Sequence, residues 1–126
     1  MIPQSVNNDN IPHPTFVYSQ AISAGKLVFI AGQPGIDFNT GIVSGSFESQ
    51  ARQAFANLSL VLEAAGSGLD KIVKTTIWLT DASYFGQLNE LYAEYFPNNP
   101  PARSTPIVGL PMPNLLISIE AIAVVK

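Results

Sequence analysis

Residues 115–125 restrict the fold more than any other segment, because they are apolar at every position except Ser118 and Glu120. Successive side chains of a strand point to opposite faces, so a strand of this composition has to be covered on both of them. We expect Ile117 and every second residue after it to lie under helices, and Glu120 to face the other way. A carboxylate on an apolar surface costs several kcal/mol to desolvate unless an interaction offsets the cost. Glu120 is therefore a candidate functional residue.

The hydrophobic period changes along the chain and predicts the element order β-β-α-β-α-β-β. Alternating or β-branched segments indicate strands, and apolar residues three or four positions apart indicate helices. Ser46 is a suitable N-cap for the first helix, and Pro97 ends the second. The predicted strands span residues 16–22, 26–32, 72–79, 107–110 and 115–125, the predicted helices span 47–65 and 83–95, and residues 1–14 form a flexible lead-in within a single domain of residues 1–126.

Two helices can cover only one face of such a sheet, so the order predicts an α+β fold with the other face open. The strands at residues 26–32 and 115–125 are apolar on both faces. Hydrophobic residues make up 47% of the chain and charged residues 12%, whereas about a quarter charged is usual. We therefore expect another copy of the chain to cover the open face, in a homo-oligomer whose sheets pack inward against each other.

Charge and composition disfavour several classes of function. The formal net charge is -3 and the six basic residues are scattered, so no basic stripe for a nucleic acid is present. The chain has no cysteine and a single histidine, His13, so neither thiolate chemistry nor a metal site is expected. The amino terminus does not resemble a signal peptide, and no apolar stretch approaches the roughly 18 residues of a membrane span. We expect a cytoplasmic protein without membrane contact.

Arg103 is the second candidate functional residue, because prolines at 100, 101 and 106 surround it. A guanidinium held on a short, rigid segment is a fork for an anion such as a carboxylate. Both charged residues also have ordinary explanations. Arg103 can stabilise a surface turn, Glu120 can reach water at the end of its strand, and the two can pair as a structural bridge. The residues alone leave these alternatives open.

Several stretches, taken together in order and spacing from about residue 14 to the end, resemble the RidA family of reactive-intermediate deaminases, also called the YjgF family. Of these stretches, Pro-Ala-Arg-Ser and Ile-Glu-Ala-Ile-Ala are the most specific. The stretches are Tyr-Ser-Gln-Ala (18–21), Gly-Gln-Pro (32–34) with Thr-Gly (40–41), Gln-Ala-Arg-Gln-Ala (50–54) with Glu-Ala-Ala-Gly (63–66), and Ile-Val-Lys-Thr-Thr (72–76) leading to Pro-Ala-Arg-Ser (101–104) and Ile-Glu-Ala-Ile-Ala-Val (119–124).

The resemblance implies a chorismate-mutase-like fold assembled as a homotrimer with ligand clefts between subunits. It also implies hydrolysis of the 2-imino and enamino acids that dehydratases release, to 2-oxo acids and ammonia, without a metal or organic cofactor. Arg103 matches the arginine that holds the substrate carboxylate, and Glu120 the glutamate that orients or polarises the attacking water. Other substrate-binding positions are matched by Tyr18, Gly32 and Asn89, by Ala31 where the family commonly has Ser, and by Thr105 where Cys is frequent.

Other functions remain compatible with these residues. A non-catalytic trimer that binds small carboxylates or has a regulatory role is one, because Ala31 removes a hydroxyl from the cleft. A deaminase acting on a larger substrate, for instance in aromatic catabolism, is another. Some members of the family have been described as ribonucleases or translation inhibitors, but the negative net charge and dispersed lysines disfavour RNA binding here.

Overall fold

The protein, represented by a computed structural model, is described over residues 2–14 and 16–126. Six strands form one sheet in the order β1-β2-β3-β6-β4-β5, and the pairing is antiparallel except between β4 and β5. The predicted α+β architecture, one sheet with two helices, is confirmed. The strands are β1 (Gln4–Ser5), β2 (Ala21–Ala24), β3 (Leu27–Pro34), β4 (Ile72–Leu79), β5 (Ala102–Ser104) and β6 (Ile117–Val124), and the helices are α1 (Phe47–Ala64) and α2 (Phe85–Tyr95).

The last strand, β6, lies between β3 and β4 near the middle of the sheet, and its side chains alternate as predicted. Residues 117, 119, 121 and 123 are buried on the helix side, and the residues between them, Glu120 included, are partly exposed on the other side. The opposite face of the sheet, called here the open face, carries large apolar side chains that remain accessible to water. Leu27 and Phe29 on β3 are 38% and 42% exposed.

Helix α1 begins and ends where its capping residues predict. The Ser46 hydroxyl accepts a hydrogen bond from the Ser49 N–H at 3.1 Å, which satisfies a free donor of the first turn. At the other end Gly66 takes a φ of +79°, and the Ser67 N–H bonds the Leu62 carbonyl. The helix packs an apolar stripe on β3 and β6, and residues at the centre of this core are Phe55, Leu58, Leu62, Ile77, Leu79, Ile117 and Ile119.

Two predicted strands are wrong. The strand expected over residues 16–22 begins only at Ala21, because the preceding residues turn, with a hydrogen bond from the Tyr18 N–H to the Phe16 carbonyl. The strand expected over residues 107–110 is reduced to an isolated bridge between Ile107 and Leu79. Gly109 and Pro111 follow and turn the chain away after two backbone hydrogen bonds to Leu79. The segment that pairs with β4 as a strand lies earlier in the chain, at β5.

The amino-terminal lead-in is attached to the sheet at two points. Gln4–Ser5 forms β1 and pairs with β2, and the Ile11 side chain is 4% exposed and belongs to the core. Within residues 2–14 and 16–126, no helix is long and apolar enough to cross a bilayer.

The buried amide of Gln50 joins α1 to two loops. Its Nε2 donates to the carbonyls of Ser44 and Asn114 at 2.7 and 2.8 Å, and its Oε1 accepts from the Leu116 N–H at 2.9 Å. We expect Gln50→Leu to lower the free energy of unfolding by about 2–4 kcal/mol, because these backbone groups lose their partner. Urea unfolding at fixed protein concentration measures the change, with the exposed Gln87→Leu as control. Equal stability of the two variants would contradict this role.

Candidate functional site

The Arg103 side chain lies on the helix side of the sheet, at its β5 edge. Arg103 is in register with Thr75 of β4, which is fully buried beneath the helices. The guanidinium donates through Nη2 to Asn89 Oδ1 on α2 at 2.7 Å. Its central carbon is 4.8 Å from the centre of the Tyr92 ring and 5.5 Å from that of Phe85. Helix α2 therefore supplies one hydrogen bond and two aromatic contacts to the guanidinium from one stripe of its surface.

No carboxylate of the described residues pairs with Arg103. The ion pairs within that part of the chain are made by the other arginine, Arg52, with Glu48 and Glu94 at 3.1 Å each. The guanidinium of Arg103 therefore forms no ion pair within the described residues. Its free N–H groups can form charge-assisted hydrogen bonds with a planar carboxylate. The structural bridge to Glu120, one alternative from the sequence, is absent.

Tyr92 lies under the guanidinium as a neutral ring. Its hydroxyl and that of Thr75 form a buried hydrogen bond of 2.8 Å. Burial raises the pKa of Tyr92, while the Thr75 hydrogen bond and the charge of Arg103 act in the opposite direction. The phenol is consequently protonated near neutral pH and offers Arg103 an aromatic face instead of a counter-ion.

Glu120 lies on the open face, beside a bulge in β3. It is in register with Thr76 of β4 and is half-buried. On its other side Ile30 pairs with Ala121 and Gln33 pairs with Ile119, so Ala31 and Gly32 together oppose Glu120. The structure thus brings three of the predicted site residues, Glu120, Ala31 and Gly32, side by side on two neighbouring strands.

Gly32 is a point of close approach within this group. A Cβ atom there would lie 2.9 Å from Ser118 Oγ and 3.5 Å from the Trp78 ring, so a larger residue would have to displace Ser118. Gly32 also lines a cavity of about 230 Å³ that it shares with Tyr18, whose side chain is 56% exposed. Tyr18 therefore joins the same side of the predicted site.

The residues of the candidate site, predicted and newly found, fall into two groups. The arginine group consists of Arg103, Asn89, Phe85 and Tyr92, and Thr105 follows two positions after Arg103; the glutamate group consists of Glu120, Ala31, Gly32 and Tyr18.

The two groups occupy different faces of the sheet. Thr75 and Thr76 are consecutive, so their register partners Arg103 and Glu120 point to opposite sides. Two strand spacings, about 10 Å, also separate β5 from β6. Five of the cavities on the described residues have linings that include neither Arg103 nor Glu120. One subunit does not bring both charged groups to one small ligand.

Phe85 and Tyr92 are members of the arginine group that the sequence did not identify. Both belong to the apolar stripe of α2, and periodicity alone assigns such residues to the core. A signal was nevertheless present, because positions 85, 89 and 92 recur at helical spacing and include the polar Asn89. Phe85 remains 45% exposed, which a core residue would not.

The chain is similar to known proteins over nearly its whole length. The profile of the family described as endoribonuclease L-PSP matches residues 8–125. A RutC family protein of Pyrococcus horikoshii is 47% identical over 116 residues, 91% of this chain and 92% of the relative. The 2-iminobutanoate/2-iminopropanoate deaminase of Rattus norvegicus is 38% identical over 125 residues, 98% of this chain and 91% of the relative. The crystal structure of RidA from the Antarctic bacterium Psychrobacter sp. PAMC 21119 superposes with a TM-score of 0.89 at 36% identity, over 97% and 99% of the two chains.

Proposed function

The chain belongs to the RidA (YjgF) family, and on that premise we propose that it hydrolyses reactive 2-imino and enamino acids to 2-oxo acids and ammonia. The observation that carries the proposal is the guanidinium of Arg103, which is held by α2 yet has no carboxylate partner among the described residues. Relatives named as 2-iminobutanoate/2-iminopropanoate deaminases support the substrate class.

The proposed reaction asks little of the protein beyond positioning. The imine carbon is electrophilic once its nitrogen is protonated, so the site has to hold the carboxylate, orient one water and move one proton. Arg103 holds the carboxylate. Glu120 accepts a proton from the water as the C–O bond forms and the C=N electron pair moves to nitrogen. The same proton then passes to the amino group. Glu120, again a carboxylate, takes the remaining hydroxyl proton as the C=O bond forms, and the C–N bond breaks to release ammonia.

We propose further that the site is completed between subunits of a homotrimer whose sheets pack inward. Because the arginine and glutamate groups of one chain lie on different faces, a neighbouring subunit has to bring its glutamate group to the arginine group. The exposed apolar side chains of the open face, Leu27 and Phe29 among them, give such packing its driving force.

We expect the protein to be a trimer by size-exclusion chromatography with light scattering at micromolar concentration. Phe29→Lys places a charge on the open face, so it is expected to shift the mass toward that of a monomer and to remove the deaminase activity with it. Ile42→Lys, which changes an exposed loop residue elsewhere, serves as the control and is expected to remain trimeric. A monomeric parent protein would rule out this assembly.

Mixing two inactive variants tests whether one site draws on two chains. Arg103→Ala and Glu120→Gln subunits are unfolded together and refolded, so that mixed trimers form. In each mixed trimer one cleft then receives an intact arginine from one chain and an intact glutamate from the next, and activity returns. If both residues acted from the same chain, no cleft would be intact and the mixture would stay inactive.

The activity itself is tested with 2-iminobutanoate generated in place by a threonine dehydratase, by following 2-oxobutanoate formation above the spontaneous rate. The second candidate function, carboxylate binding without turnover, is favoured by Ala31, because neither residue opposite Glu120 carries a hydroxyl. Tight binding of 2-oxobutanoate with no acceleration of hydrolysis would select the binding function. Gain of activity in Ala31→Ser would trace the difference to the missing hydroxyl.

A further inference from the structure

The guanidinium of Arg103 rests in a cradle formed by one stripe of α2. Phe85, Asn89 and Tyr92 follow one another at spacings of four and three residues, so they share one helix face over about two turns. Both ring centres lie within the roughly 6 Å at which a cation and an aromatic face attract each other. The Asn89 carbonyl between the rings accepts one N–H of the guanidinium.

The deeper ring of the cradle is itself fixed in place. Tyr92 is 7% exposed, its hydroxyl is hydrogen-bonded to Thr75 at 2.8 Å, and its ring packs 4.6 Å from that of Phe96. Thr75 is the register partner of Arg103 on β4. The backbone that carries the arginine and the ring that supports its side chain are therefore tied to the same residue.

An aromatic support has an advantage that a salt bridge lacks. A carboxylate partner would also order the arginine, but it would compete with the carboxylate of a ligand for the same N–H groups. Neutral rings restrain a side chain that otherwise samples many rotamers, and they leave the remaining donors free.

We infer that Phe85 and Tyr92 are positioning residues, which hold the guanidinium so that its unbonded N–H edge meets the ligand carboxylate. The inference rests on the proposed function, since it assigns the carboxylate to Arg103. Its direct consequence, an ordered Arg103 side chain in the ligand-free protein, can be measured without any ligand.

The chain has only two arginines, Arg52 and Arg103, so a ¹⁵Nε–¹Hε correlation spectrum contains two arginine signals. Arg52→Lys assigns them by removing one. We expect the Arg103 signal of the parent protein to be displaced by ring currents. Tyr92→Leu and Phe85→Leu are expected to move it toward the position of an unstructured arginine, whereas Tyr92→Phe, which keeps the ring, leaves it close to the parent value.

Binding of 2-oxobutanoate provides the functional measurement. Tyr92→Leu and Phe85→Leu are expected to raise its Kd about tenfold, in line with a cation–aromatic contact that is partly shielded from water. The rise should be accompanied by a higher KM and a smaller change in kcat, with Tyr92→Phe restoring both. Tyr95→Leu is the matched control. The Tyr95 ring also stacks on an aromatic ring, 4.2 Å from that of Phe55, whereas the rings that contact Arg103 are those of Phe85 and Tyr92.

The outcomes separate the inference from the proposed function. Phe85→Leu replaces an exposed residue and does not endanger folding. If the Arg103 signal does not move in this variant, the cradle has no positioning role. The same conclusion follows if the Kd for 2-oxobutanoate is unchanged in both leucine variants. If the parent protein neither binds 2-oxobutanoate nor hydrolyses the imine, the proposed function fails, and the arginine spectrum alone decides whether the rings order the side chain.

Discussion

Replacing Arg103 by alanine is expected to lower kcat/KM for 2-iminobutanoate by about a hundredfold or more. Removing one partner of a hydrogen-bonded charge pair typically costs 2–5 kcal/mol, and here the lost partner is the group that would anchor the substrate carboxylate. Arg103→Lys should recover only part of the loss, because an ammonium cannot reproduce the planar fork. The dehydratase-coupled assay measures the rates, and light scattering confirms that the variant keeps the mass of the parent.

Arg52→Ala is the matched control for this prediction. Arg52 is the other arginine of the chain, but it is exposed on α1 and paired with Glu48 and Glu94. Exposed ion pairs contribute little to stability, so this variant is expected to retain the parent's activity and fold. An Arg103→Ala protein that hydrolyses the imine at the parent rate would remove the basis of the proposed site.

Glu120→Gln is expected to lower kcat about 10²–10⁴-fold, the usual contribution of a positioned general base. Glutamine keeps the shape of the side chain but cannot accept the proton of the attacking water. Affinity for 2-oxobutanoate should change little, because the carboxylate is held by Arg103. The single tryptophan, Trp78 of β4, lies beside Gly32 of β3. Its fluorescence can therefore follow the titration with 2-oxobutanoate alongside calorimetry.

Glu63→Gln serves as the control for a lost carboxylate, because Glu63 is exposed near the end of α1. It is expected to leave kcat unchanged. A Glu120→Gln variant with full kcat would show that another group handles the proton. Full loss of 2-oxobutanoate affinity in the same variant would instead make Glu120 a binding residue.

Long periodic segments were predictable from the sequence, and short edge segments were not. Helix α1 was expected over residues 47–65 and spans Phe47–Ala64, because its apolar period and both caps agree. Strict alternation of side chains also predicted which residues of β6 are buried under the helices. By contrast, β5 consists of Ala102–Ser104, which has no apolar alternation. Its pairing with β4 is formed by backbone groups, whose partners a sequence pattern does not specify.

The same limit applies to the candidate site. Arg103 and Glu120 were singled out because each charge is unusual in its segment, and that argument needs no structure. Their placement on opposite faces depends on the parallel register of β5 with β4, which is a tertiary property. The position of Ala31 opposite Glu120 depends on the bulge in β3. The roles of Phe85 and Tyr92 could not be predicted, because periodicity reports apolarity and not which group an aromatic ring supports.

The shortness of the outer strands has a consequence for the newly synthesised chain. Unpaired backbone at the margin of a sheet can recruit other chains into fibrils. Here the two margins are β1, with two residues, and β5, with three, and prolines 101 and 106 on either side of β5 lack the N–H that such growth requires. In a chain with so few charges, these short, proline-flanked edges therefore disfavour amyloid-like growth.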